Sequence, residues 1–206
     1  MIVIIVIVEV VVVVVVVVLI VVLIVVVVIV EVVVVVVVVE MSIRHYFYTI
    51  DIKGYLYIST TTTKNFVSCL KDKAILLFMY KQLRLNNTQQ YNDYKYISPC
   101  GKEINYIKHD DDNACIGFTS FDKDKLYYAG DQISTVFNPS SIVINKTNGR
   151  IYHPVSGHKY LSDHYGLLHS NIASELSNHI NIITNSDNND IYQLQWKSKT
   201  YDIKSI

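Results

Sequence analysis

One order of hydrophobic patterns occurs twice in this chain, and it limits the fold more than any single motif does. Aromatic and β-branched runs at Tyr46–Asp51 and Tyr55–Ile58 flank Lys53-Gly54, a hairpin signal with glycine at the turn. Phe66, Leu70, Ala74, Leu77 and Phe78 then fall at helical spacing, and a second hairpin bends at Ser98-Pro99-Cys100-Gly101. The same series returns later. Ser141–Ile144 and Arg150–Tyr152 flank Asn148-Gly149, Leu168, Ile172, Leu176 and Ile180 mark a helix face at i,i+4, and a last hairpin turns at Lys197-Ser198-Lys199. Gly54 and Gly149 stand 95 residues apart, as do Tyr57 and Tyr152. The reading is hairpin (46–58), helix (64–84), hairpin (94–107), then hairpin (141–152), helix (167–180), hairpin (191–203), with a strand pair at 114–129 between them. This predicts an α+β fold: antiparallel hairpins packed on two helical segments, as a tandem duplication of a ββαββ unit.

Residues 2–40 stand outside that pattern, because they contain only Val, Ile, Leu and Glu. The uncharged run 10–30 is long enough to cross a bilayer. Against a span, valine loses χ1 freedom in a helix and favours strands, and no basic flank sets an orientation. Ile, Leu and Glu are each one base change from a GTA valine codon, and Met41 stands directly before Ser42-Ile43-Arg44. Residues 1–40 are therefore read as a low-complexity tract, a translated repeat or mis-called start, with a membrane-anchored domain as the alternative. Residues 41–206 are read as a single globular domain of two similar halves, about 44–110 and 140–206.

Outside the tract, 15 acidic residues face 18 basic ones, a balance too mild to predict a nucleic-acid partner. Cys69, Cys100 and Cys115 are an odd number at irregular spacing, so neither a disulfide framework nor a zinc knuckle is indicated and an intracellular, reducing location is expected. His153, His158, His164 and His169 are spaced by five, six and five, which fits no zinc pattern, and no metal or other cofactor is expected.

Several short motifs follow in order: Arg44-x-Tyr46-Phe47-Tyr48-x-x-Asp51-x-x-Gly54, Lys64-Asn65-Phe66, Leu83-Arg84-x-Asn86, Ser98-Pro99-Cys100-Gly101-x-Glu103-x-Asn105, and Asn148-Gly149-Arg150-x-Tyr152-His153-Pro154. With Ser170 and Glu175-Leu176, they resemble the uncharacterised protein family UPF 0598 over about residues 44–180. The resemblance implies no assigned activity, cofactor or catalytic residue. It adds a mitochondrial location to the cytoplasmic one, although Met41 leaves no room for an Arg-rich presequence before Tyr46. His169 departs from the arginine expected in the relatives.

The candidate binding residues are Arg84, Cys100, Glu103, Asn105, Arg150 and His153. Cys100 sits in a turn where a thiol can be exposed and Lys102 could lower its pKa; alternatively it is a small filler beside Pro99 and Gly101. Glu103 and Asn105 share one strand face and could bind a ligand or pair with Arg84 or Arg150. His153 could act as a base or hydrogen-bond a turn. Tyr46 and Tyr48 share a face with Ile50, which reads as sheet packing and not as a base-stacking platform. The leading expectation is a non-catalytic binding or assembly module for a protein partner or small ligand. The competing one is a small enzyme with a cleft site around Cys100, Glu103, Asn105, Arg150 and His153.

Overall fold

The computed structural model describes residues 2–41, 43–184 and 190–206. The Asn/Asp-rich loop expected after the second helix falls at 185–189, outside the described residues. The chain divides into two compact units, Met1–Arg44 and His45–Ile206.

The first unit is one helix, α1 (Ile2–Met41). Valine's strand preference does not prevail there. An isolated strand leaves its backbone N–H and C=O groups without partners, whereas a helix pairs them internally at a cost of a few tenths of a kcal/mol per β-branched residue. Within it, Val12–Val38 is long and apolar enough to cross a membrane, judged by length and composition.

From His45 on, the second unit holds β1 (Arg44–Ile50, whose first residue closes the first unit), β2 (Leu56–Ile58), α2 (Lys73–Lys81), β3 (Arg84–Leu85), β4 (Tyr96–Cys100) and β5 (Glu103–His109). These are followed by β6 (Ile116–Phe118), β7 (Ser120–Asp122), β8 (Lys125–Tyr128), β9 (Ile133–Val136) and a 3-10 turn at Pro139–Ser141. Then come β10 (Val143–Ile144), β11 (Ile151–Pro154), β12 (Tyr165–Leu168), α3 (Ser170–Ser177), β13 (Ile180–Thr184), β14 (Asp190–Trp196) and β15 (Lys199–Ser205).

The fold is α+β, with mixed sheets. The first sheet has the order β2-β1-β5-β4-β3 and the second β13-β14-β15-β10-β11-β12-β6, while β7-β8-β9 form a third. Read from its other end, the second sheet contains β11-β10-β15-β14-β13, strand for strand the order of the first. The hairpin bends correspond as well. Asp51 N–H donates to the Tyr55 C=O at 3.0 Å, and Asn145 N–H to the Arg150 C=O at 2.9 Å. Beside them, Asp110 N–H donates to the Ile50 C=O and Ile206 N–H to the Ile144 C=O, at 2.8 and 3.0 Å. The β10–β15 and β6–β12 pairings are parallel, which the hairpin reading did not foresee.

Both helices are shorter than their apolar spacing suggests. Over 64–70, Asn65 Oδ1 accepts from the Val67 and Ser68 N–H groups and Ser68 Oγ donates to the Thr63 C=O. These side chains hold the backbone in turns, and the helix begins only after Asp72, whose carboxylate caps the Ile75 N–H at 2.9 Å. In the second half, His169 Nδ1 accepts from the Asn171 N–H and opens α3. Leu168 therefore ends β12 and Ile180 begins β13, so the i,i+4 series is helical only at Ile172 and Leu176. All four face inward, and strand ends have imitated a helix face.

One hydrophobic core includes residues of both sheets and of α2 and α3, among them Ile50, Leu76, Ile107, Phe118, Leu168 and Leu176. Each such side chain, fully buried, contributes roughly 1.5–3 kcal/mol. The turn of the first hairpin packs directly on β6. A Cβ added to Gly117 would lie 2.2 Å from the Gly54 Cα, so only two glycines allow the backbones to meet.

Candidate functional site

The six residues singled out in the sequence lie in several different settings. Cys100 is half-buried at the end of β4, opposite Glu103 in the β4–β5 register. Glu103 lies near Tyr48, whose phenol is raised first by burial and then by the charges of Tyr46 and Glu103. Asn105 is buried and its Nδ2 donates to the Ser98 C=O at 2.8 Å across the strand pair. Arg84 places its guanidinium carbon 5.7 Å from the Tyr160 ring centroid.

His153 is fully buried. Its Nε2 accepts from the Asn138 N–H and its Nδ1–H donates to the Pro154 C=O, both at 2.8 Å, and the ring stacks on Phe137. Burial lowers its pKa, and both ring nitrogens are taken by the backbone, which leaves neither for a metal or a substrate proton. His158 likewise bonds the Tyr80 C=O at 2.7 Å. Among the described residues, no group of three or more His, Cys, Asp or Glu is placed to hold a metal.

Arg150 is bound into a buried cluster that residue spacing did not reveal. Its Nη1 lies 2.5 Å from Asp111 Oδ2, which also accepts from the Tyr152 hydroxyl at 3.0 Å. Asp111 Oδ1 accepts from the Asn113 N–H, and Asp111 N–H donates to His109 Nδ1, each at 2.9 Å. Burial alone would raise the Asp111 carboxyl; the Asn113, Arg150 and Tyr152 donors outweigh it and hold the group below the ordinary aspartate value. Asp111 follows β5 of the first sheet, while Arg150 and Tyr152 belong to the β10–β11 hairpin of the second, so this carboxylate ties the two sheets together.

Among the described residues, surface cavities of about 490, 380 and 260 Å³ are open, and of the six residues only Arg150 lines any of these. The cavity of about 380 Å³ has the most site-like construction. Its floor is apolar, built by Leu56, Leu70, Leu76 and Tyr80, with Lys71, Lys73 and Asp131 also on its wall. Lys71 Nζ stands 4.3 Å from the centroid of the exposed Phe66 ring, and Asp131 accepts from Ser120 Oγ at 2.6 Å. The Cys69 thiol donates to the Phe66 C=O at 3.3 Å, and burial raises its pKa, so it remains a thiol at neutral pH.

The wall opposite α2 is strained. Ala129, Gly130 and Asp131 are three consecutive residues with φ of 56°, 62° and 66°, closed by the Gln132 N–H on the Ala129 C=O. Alanine has no local side-chain bond to offset a left-handed backbone, which costs roughly 1–2 kcal/mol. Strain of this kind is common beside ligand sites. The sequence held only weak signals for this cavity: the lysines of Lys71-Asp72-Lys73 and the Gly130-Asp131 pair belong to no catalytic or ligand-binding motif.

A family model, that of a domain of unknown function (DUF4505), matches residues 38–206. The chain belongs to this family. No solved structure matches the chain. The DUF4505 region contains every element from β1 to β15, these cavities and the Asp111 cluster, while most of the valine tract precedes it.

Proposed function

We propose that this DUF4505 domain is a non-catalytic binding module, and that the cavity between α2 and the Ala129–Asp131 turn holds a small organic anion with an apolar body. The observation that carries this reading is the pairing of an apolar floor with a rim bearing two lysines and one aspartate. Such a wall suits a ligand whose hydrocarbon or aromatic part enters beside Leu56, Leu70 and Leu76 and whose anionic end meets Lys71 and Lys73. The protonated Cys69 offers no thiolate nucleophile to a bound ligand, which favours binding over covalent chemistry.

The test is a thermal-shift and calorimetric screen of the full chain against aliphatic and aromatic carboxylates and phosphates. At least one should bind, and Lys71→Ala with Lys73→Ala should weaken it about 10-fold, as loss of charged hydrogen bonds of about 1.5 kcal/mol predicts. Ligands that bind the double variant equally well would remove the assignment.

Two finer readings accompany it. The ordered motifs within 44–180 support placing the family with UPF 0598. The shared strand order and the matching turn bonds support a tandem ββαββ duplication. An experimental structure in which residues 44–110 and 140–206 failed to superpose over most of their strands would eliminate the duplication.

A further inference from the structure

The two sheets treat one corresponding edge in opposite ways. In the first, the edge strand is β3, only Arg84–Leu85, and half of it is a charged residue stacked on Tyr160. Short length and charge are how sheet edges are protected against pairing with another chain. The counterpart edge of the second sheet is β13, Ile180-Asn181-Ile182-Ile183-Thr184, a five-residue strand with neither charge nor proline. Ile182 is 61% exposed and Ile183 47% exposed, and Ile191 lies across from Ile183 on β14. Exposed isoleucine thus occurs on both faces of an edge strand that has no neighbour on its outer side in the described sheet. The same strand borders the cavity of about 490 Å³, through Ile180 and Ile182 together with Tyr192 and, from α3, Ala173 and Ser177.

We propose that β13 is a self-association edge, which pairs antiparallel with β13 of a second copy of this chain. A row of open N–H and C=O groups accepts a strand in preference to a helix or a small molecule. Among strands, its own copy is well matched. Centred on Ile182, antiparallel pairing sets Ile180 against Thr184 and Asn181 against Ile183, with no charge to bury and no side chain left without an equivalent. The contact is two-fold and closes at two copies, joining two seven-stranded sheets edge to edge. Each copy's Ile182 then lies beside the other's at the mouth of the cavity. The proposal is independent of the ligand assigned to the Lys71–Lys73 cavity.

Position-specific cross-linking of the purified full chain in mild detergent tests this. Ile182→Cys, at an exposed position, should give a disulfide-linked dimer under mild oxidation at least ~10-fold faster than Leu85→Cys on the protected edge or the unsubstituted chain. Equal linking at 182 and 85 would mean non-specific association, including association through Val12–Val38, and would overturn the proposal. So would cross-linking of Ile182→Cys only to an added extended peptide and not to itself. As a second readout, hydrogen exchange of the β13 amides should slow as protein concentration rises, and Ile182→Lys should abolish that slowing. Exchange independent of concentration would sink the idea.

Discussion

Replacing Asp111 by alanine is expected to destabilise the His45–Ile206 unit by about 2–3 kcal/mol, from the loss of a charge-assisted bond to the partly exposed Arg150 and of the acceptor of the buried Tyr152 hydroxyl. The carboxylate is buried and serves three donors: the Asn113 N–H, the Arg150 guanidinium and the Tyr152 hydroxyl. Alanine would leave the Tyr152 hydroxyl without its acceptor in the interior and free Arg150 from the strand it anchors. Urea unfolding followed by circular dichroism measures the loss; a change under 1 kcal/mol would show that the cluster holds little.

The same cluster predicts acid sensitivity. His109 is buried, with its pKa lowered to about 4 chiefly by desolvation. Between the ordinary histidine value near 6.5 and that folded value, the unfolded chain binds the extra proton and the folded one does not. Stability therefore falls with decreasing pH across this window, by up to about 1.4 kcal/mol per pH unit. Asp111, whose folded pKa is depressed, keeps its contribution through this window and loses it only at more acidic pH. His109→Phe should reduce the slope from pH 6.5 to 4 to the part that the buried His153 and the partly buried His169 contribute, without moving the loss at more acidic pH.

Gly117→Ala is the second large effect, expected to cost roughly 3 kcal/mol, at the top of the range for overpacking a core. The added methyl would lie 2.2 Å from the Gly54 Cα and 2.9 Å from its nitrogen, against backbone that cannot rotate away. Gly101→Ala is the natural control. Its φ of +58° is strained for alanine, but nothing lies within 4 Å of the new methyl, so only a backbone cost of about 1 kcal/mol remains. Calorimetry should show Gly117→Ala lowering Tm by about 10 °C and Gly101→Ala by a few degrees. Equal shifts would mean that the Gly54–Gly117 approach is not a tight contact.

Where local chemistry decides structure, residues sufficed to read it. Gly54, Gly101 and Gly149 do sit at hairpin bends with positive φ, and the last hairpin turns at Lys197 and Ser198, both left-handed as a two-residue bend requires. The reading failed where elements are set by distant partners. Leu168 and Ile180 kept helical spacing with Ile172 and Leu176, yet β6 and β14 recruit them into strands. The candidate site and the Asp111 cluster were hardest to see. Arg150 and Tyr152 meet Asp111 across about 40 residues of chain, and the left-handed run at Ala129 has no residue type that announces it. Cys100, Glu103 and Asn105 attracted attention for their chemistry, while the cavity is walled by ordinary leucines and lysines.

The place of β15 in the second sheet bears on how this protein is made. It is the last strand in chain order, yet it lies between β14 and β10 and joins the β13–β14 hairpin to the rest of the sheet. On a ribosome the sheet must wait as two separate pieces, with unsatisfied edges on both β10 and β14, until Lys199–Ser205 has left the exit tunnel. The growing chain is thus most exposed to aggregation and to chaperones in the interval when β14 has emerged and β15 has not, because the strand that closes the gap is still missing.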